Sequence, residues 1–375
     1  MPGAIASGPS NAGMSPENRR PSVYFLNPVA DYALAGGLSM AVAAAMAAFY
    51  RPTRTEAVIV IAAQLLWICN WPHFSATSHR LYHRWENIRQ YPITALVIPW
   101  VILAVAAWSI ASPDLVAPAF VKLYFIWSPY HFAGQTVGVT ALYLRRAGVE
   151  VRPWERKVYG WAIYSAFVSI VLRSESGERM MQFYGISFPS LGLPAWVATA
   201  GLAYAHVATA ALGVCYLLWC RRAGRLVPPI VLVPALALQT WFVWTKGVAS
   251  FLEFVPFFHS LQYLLVAWSM QLKERKDREG IAGSPRYVWR ESVRWYLLNV
   301  AGGAVLFWVL PRAVAGGFDL SVAVTMGVLS AAVQVHHFFV DGVIWKLKRE
   351  TVASPLMGDL HDLLHAPAPA RPVNR

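Results

Sequence analysis

The chain has 375 residues, of which 57% are hydrophobic and only 14% charged, and its mean hydropathy is +0.43. A soluble domain carries roughly 25% charged residues, so the composition excludes an ordinary soluble fold and points to lipid as the solvent of much of the surface. The net charge of +13 is spread over short segments between apolar runs, with no basic face and no nucleic-acid motif, so it reads as a set of topology determinants and not as a nucleic-acid site.

Residues 1–28 are rich in Gly, Pro, Ser and Asn and carry Arg19-Arg20. They lack the apolar stretch and cleavage site of a signal peptide and read as a disordered cytoplasmic tail. Ten apolar runs follow within a transmembrane domain at 29–349, at 29–50, 56–78, 91–111, 115–144, 155–172, 192–220, 226–245, 250–272, 292–312 and 320–346. Spanning a bilayer takes about 20 such residues. The predicted fold class is therefore all-α, a polytopic membrane bundle of about ten transmembrane helices. Residues 350–375 read as a cytoplasmic C-terminal tail, Pro/Ala-rich from Ala366.

Basic residues alternate between the loops. Arg80, Arg84 and Arg89 follow the second run, Arg145, Arg146, Arg152, Arg156 and Lys157 the fourth, Arg221, Arg222 and Arg225 the sixth, Lys273 through Arg294 the eighth, and Lys346, Lys348 and Arg349 the tenth. The intervening loops are nearly neutral; only the loop with Arg51 and Arg54 dissents. Positive charge on alternate loops predicts an even number of spans with both termini cytoplasmic, as in a bacterial-type inner membrane. Trp67, Trp71, Trp100, Trp154 and Trp345 lie near run ends, where interfacial aromatics anchor helices. Cys69, Cys215 and Cys220 lie in or beside apolar runs without a CxxC pair, which excludes a disulfide framework or thiolate zinc site.

Eight of the ten histidines fall in or at the ends of apolar runs: His73, His79, His83, His131, His206, His259, His336 and His337. Such groups are costly in lipid and usually have a reason to be there. His131 lies 14 residues before Arg145, His259 14 before Lys273, His206 15 before Arg221, His337 nine before Lys346 and His73 seven before Arg80. Five histidines on five runs therefore share one slab of the membrane. Three have polar companions on the same helical face: Gln135 at i+4 from His131, Gln262 at i+3 from His259, and Asp341 at i+4 from His337. A metal-bound imidazole usually gives its other ring nitrogen to such an acceptor. His131, His259, His336 and His337, with His73, are the predicted metal ligands, and Gln135, Gln262 and Asp341 the groups that orient them. Residues 336 and 337 point about 100° apart on a helix, so a single metal suits only one of them. His206 reads as a packing residue, His79 and His83 as interfacial, and His361 and His365 as part of a solvated turn. Imidazole and carboxylate without thiolate suit iron, zinc, copper or manganese. Iron is preferred because Trp127, Tyr130, Phe257, Phe258, Phe338 and Phe339 would line an apolar cavity suited to a lipid-like substrate and oxygen chemistry.

His79-Arg80-Leu81-Tyr82-His83 resembles the HxxxH box of membrane fatty-acid desaturases and hydroxylases, and Gln334-Val335-His336-His337 resembles their last box. The middle box of that family is missing and the helix count is larger. Phe258-His259-Ser260, taken with His131 and His336, is similar to the bacterial membrane carotenoid-cleaving oxygenases, which hold iron with histidines from several helices. Both resemblances imply non-haem iron acting on a hydrophobic molecule.

The function these features predict is a metal-dependent membrane oxidoreductase, with non-haem iron, a long-chain lipid or isoprenoid substrate, and an external electron donor, since no NAD or flavin motif is present. The alternatives are a transporter or channel in which the His/Gln layer forms a polar path, with Lys246 and Glu253 beside a short outer loop as an ion pair or gate, and a bis-His haem electron-transfer protein.

Overall fold

The computed structural model describes residues 22–245, 248–346, 350–358 and 360–365. The tail readings for 1–21 and 366–375, and the gate reading of Lys246, lie outside the described residues. The structure is built from helices: α1 (Pro28–Phe49), α2 (Pro52–Tyr82), α3 (Ile93–Ala111), α4 (Val116–Arg146), α5 (Pro153–Ser174), α6 (Ala195–Ala223), α7 (Val233–Trp244), α8 (Ser250–Glu279), α9 (Pro285–Gly317) and α10 (Val322–Ile344). Each coincides with one of the apolar runs. Seven of them, α1, α2, α3, α6, α8, α9 and α10, are long and apolar enough to cross a membrane, which marks a membrane protein. The other three differ for physical reasons. α4 carries polar residues through its middle, among them Tyr130, His131 and Gln135, α5 has Glu155, Arg156 and Lys157 near its start and Arg173 near its end, and α7 has 12 residues, about 18 Å against a hydrocarbon core near 30 Å.

Burial separates central from peripheral helices. In the most apolar stretch of α8, 61% of residues are buried, and in that of α10, 56%, against 22% in α1 and α9. α8 and α10 are therefore the axis on which the others pack. α5 and α6 pair along their length, with Gly201 of α6 placed against Leu172 and Ser169 of α5. Between them a hairpin of β1 (Met180–Phe183) and β2 (Ile186–Pro189) pairs antiparallel, Met180 opposite Pro189. Its turn residues Tyr184 and Gly185 both have positive φ, 49° and 79°, as the tight turns that match strand twist require. Ile186 and Phe188 are buried with residues of α3, α4 and α10, and Lys122 donates to Glu175 and to the Pro189 carbonyl, both at 2.8 Å.

Two segments read from sequence as tails pack onto the bundle. The Asp31 carboxylate accepts from the backbone of Phe25 at 2.7 Å and Leu26 at 2.9 Å, and from the Tyr143 hydroxyl at 3.0 Å. The buried Arg146 guanidinium lies over the Phe25 ring and donates to the carbonyls of Val23 (3.1 Å), Tyr24 (2.8 Å), Leu356 (2.8 Å) and Gly358 (2.9 Å). A buried guanidinium needs this many acceptors. It joins the start of the described chain to α11 (Glu350–Leu356), and Leu360 N–H donates to the Phe25 carbonyl at 2.9 Å just before α12 (Leu360–His365).

Candidate metal centre

The local sequence explains how histidines reach the bundle interior. Three follow a proline closely: Pro72-His73, Pro129-Tyr130-His131 and Pro256-Phe257-Phe258-His259. Proline has no N–H and its ring clashes with the carbonyl four residues back. α2 accommodates Pro72 with a π-helical turn at Leu66–Asn70, a distortion common at functional sites. The freed Ile68 carbonyl accepts from the Tyr296 hydroxyl of α9 at 2.8 Å. α9 can come this close because Gly303 faces Trp71: a Cβ there would lie 2.6 Å from the Trp71 carbonyl carbon.

Four buried histidines converge from four helices, His73 of α2, His131 of α4, His259 of α8 and His337 of α10, each offering one ring nitrogen within 4.8 Å of the others. Donors on opposite sides of one ion at 2.0–2.1 Å lie about 4.2 Å apart, so the 4.8 Å limit of the cluster must close by at least about 0.6 Å for the four to share an ion. His131 and His337 face each other Nε2 to Nε2 at 3.1 Å. The Asp341 Oδ2 atom lies 3.3 Å from His337 Nε2 and 3.7 Å from His131 Nε2. A triangle with edges of 3.1, 3.3 and 3.7 Å has its centre about 2.0 Å from each corner, the usual metal–imidazole and metal–carboxylate distance.

The hydrogen-bond census gives the second argument. His73 Nε2, both nitrogens of His259 and His337 Nδ1 are buried without a hydrogen-bond partner among the described residues. Leaving a buried polar group unsatisfied costs about 1–3 kcal/mol, and coordination would satisfy the lone pairs. For His73 the tautomer follows from its partner. Ser260 Oγ donates to the Pro256 carbonyl at 2.7 Å and accepts from Asn70 Nδ2 at 3.1 Å. Its one proton is thus used, so His73 Nδ1, 3.0 Å away, must be the donor. That leaves a lone pair on His73 Nε2, the nitrogen without a partner.

Aromatic rings pack around the cluster. Phe338 stacks on His131 at 4.6 Å, Phe132 lies 4.1 Å from His259, and Phe74 packs edge-on to His337 at 4.7 Å. Tyr263 stacks on His73 at 4.1 Å, and its hydroxyl is hydrogen-bonded to Thr77 at 2.5 Å. Thr77 in turn donates to Asp341 Oδ1 at 3.3 Å, which also accepts from Trp345 Nε1 at 3.1 Å.

The residues singled out in the sequence divide accordingly. His73, His131, His259, His337 and Asp341 come together. His336 points away, its Nε2 3.1 Å from the Tyr82 hydroxyl; of the adjacent pair, only His337 reaches the cluster. Gln135 donates to the His259 carbonyl at 3.0 Å, and so holds the backbone of that ligand and not its ring. Gln262 donates to the Ala35 carbonyl at 2.7 Å, because α1 is broken at Gly36 (φ 142°) and exposes that oxygen. His206 is exposed on α6. His79 and His83 stack on each other at 4.6 Å, and the rings of His361 and His365 lie 4.6 Å apart but tilted, both pairs apart from the cluster. Trp127 packs on Phe338 and Phe339, whereas Phe258 packs on Phe251 and Phe254. Thr77 and Tyr263 were not singled out from sequence, and Ser260 and Trp345 stood out there only as a motif neighbour and an interfacial aromatic. A helical signal for three of them exists: Thr77, Tyr263 and Trp345 stand at i+4 from His73, His259 and Asp341.

No protein-family model matches the chain, and neither a curated protein nor a solved structure does.

Proposed function

We propose that this chain is an integral membrane oxidoreductase that holds a non-haem iron ion with His73, His131, His259 and His337 and acts on a hydrophobic lipid or isoprenoid. The observation that carries the reading is the convergence of four buried imidazoles from four helices, with ring nitrogens within 4.8 Å of each other and several lacking any hydrogen-bond partner. Four imidazoles with a carboxylate at one edge exceed the four-coordinate set typical of structural zinc, and the absence of a thiolate from the set favours iron or manganese over softer alternatives. Nε2 atoms 3.1 Å apart leave no room for a porphyrin between them, which argues against haem.

Bound iron supplies the redox chemistry with oxygen. The protein's own groups do the rest. Ser260 fixes the His73 tautomer, Gln135 fixes the backbone of His259, and Asp341 provides a buried carboxylate beside His131 and His337. Phe74, Phe132 and Phe338 pack against the histidine rings. Electrons come from an external donor. The reading includes ten spans with both termini on the cytoplasmic side of an inner membrane, supported by the alternation of basic loops.

Metal analysis of detergent-purified protein, with an absorption spectrum, tests this. The expected result is about one iron per chain and no Soret band. A strong Soret band, or zinc alone at full occupancy, overturns it. The hydrogen-bonded file Tyr263–Thr77–Asp341 favours one competing use, a proton path. Metal-free protein that still carries protons in liposomes would establish that use instead.

A further inference from the structure

A cavity of about 300 Å³ begins at His131 and Asp341 and extends toward the basic ends of α4 and α10, where Lys346 and Leu356 border it. Along α4 its wall runs from His131 to Leu142, eleven residues and so roughly 16 Å. A volume of about 300 Å³ drawn out over roughly 16 Å makes the cavity a long, narrow bore, the shape of a hydrocarbon chain. Glycines keep that bore open. Gly138 of α4 and Gly342 of α10 both line it, and a Cβ on either would meet nothing within 4 Å. Gly134, one turn before Gly138, would meet only the Tyr164 hydroxyl, at 3.4 Å. Val139, Leu142, Val266 and Phe338 make the rest of the wall mainly apolar. The far end is different: Lys346 is exposed there, next to Trp345, a pairing typical of membrane interfaces.

We infer that this bore binds one chain of an amphiphile with an anionic head group, the head at Lys346 and the chain running past Gly138 and Gly134 to end beside His131 and Asp341. The inference names the substrate class for the proposed function and rests on that reading for the chemistry at the chain's inner end. The bore's length accommodates about a dozen carbons. The specificity lies in two places: the glycines set the width, and Lys346 selects the head group.

The test uses the full chain in nanodiscs and a dodecanoic acid carrying a terminal diazirine. Illumination should attach the probe to residues of α4 between 130 and 142 and of α10 between 338 and 345, mapped by peptide mass spectrometry. Dodecanoate and dodecyl phosphate should both compete, and the stronger competitor identifies the head group as carboxylate or phosphate. Dodecanol should need at least tenfold more. Lys346→Gln should remove that tenfold preference. Gly138→Leu should abolish specific labelling while iron content stays at the wild-type level; Gly342→Val serves the same purpose if Gly138→Leu fails to fold. Labelling scattered over the outward helix faces, labelling unchanged by both glycine variants, or equal competition by dodecanol overturns the inference. Iron bound with no specific labelling refutes the bore and leaves the metal centre standing; specific labelling without iron does the reverse.

Discussion

His131 and His337, 206 residues apart in the chain, face each other Nε2 to Nε2 at 3.1 Å inside the bundle. A neutral imidazole pair satisfies that contact with one N–H donor and one acceptor. It does not account for His73 Nε2 or for the two nitrogens of His259, which sit within the same cluster without partners. A shared ion accounts for His73 Nε2 and for one ring nitrogen of His259.

The first prediction follows from that set. His73→Ala, His131→Ala, His259→Ala and His337→Ala should each remove most of the bound metal, measured per chain after purification. Each should also lower the melting temperature, because a ligand that binds only the folded state stabilises it by about 2.7 kcal/mol at a hundredfold excess over its dissociation constant. His336→Ala, His206→Ala, His361→Ala and His365→Ala should retain the metal. The neighbours 336 and 337 make the sharpest comparison: equal metal loss in both would mean that the bundle, and not the ligand set, is being disrupted.

Asp341→Asn should be milder than any of the four. The amide keeps an oxygen for Trp345 Nε1 and Thr77, which bond Oδ1, but removes the charge beside His131 and His337. Loss of such a group typically costs 10–100-fold in metal affinity or activity. Titration of iron into metal-stripped protein reads this directly. An affinity unchanged in Asp341→Asn would show that the carboxylate serves only the Trp345 and Thr77 hydrogen bonds.

Helix positions were legible in the sequence because each apolar run has its own length and flanking charges. The depth of the histidines was legible too, from their distance to the basic anchors. Their facing was not. His206 shares the depth of His131 and His259, yet it is exposed on α6, and that helix is apolar all round, so nothing in its sequence marks an inward face. The rotation that separates His337 from His336 was readable as an angle; which of them points inward depends on how α10 packs. Gln262 illustrates a different obscurity. Its spacing suggests a partner for His259, but the carbonyl it bonds is released by a break in α1 at Gly36, more than 200 residues away in sequence.

The ten-span topology is open to a direct measurement. A reporter fused after Arg146, Arg222 or Lys276 should read cytoplasmic, and one placed near Pro113 or Phe318 should read external. The short α7, the polar middle of α4 and the charged start of α5 make the central segment the informative one. If both termini are cytoplasmic while the 145–157 loop is external, at least one helix on each side of that loop has been misassigned and the alternation of basic loops has another cause.

Gly303 links fold to site. A Cβ there would lie 2.6 Å from the Trp71 carbonyl carbon and 2.7 Å from its oxygen, and backbone atoms cannot swing aside as a side-chain end can. Gly303→Val should therefore push α9 from α2 and disturb the stacked pair Trp71 and Phe307, whose rings are 5.6 Å apart. Overpacking of this kind typically costs about 1–3 kcal/mol. Because His73 lies two residues beyond Trp71, the same displacement should pull one of the four histidines out of the cluster. Gly317→Val, at the end of the same helix where a Cβ meets nothing within 4 Å, is the control and should change neither property. A melting temperature lowered in Gly303→Val with full metal retained would show that α2 moves without carrying His73. Wild-type stability and wild-type metal together would show that the close approach of α9 to α2 does not hold the site.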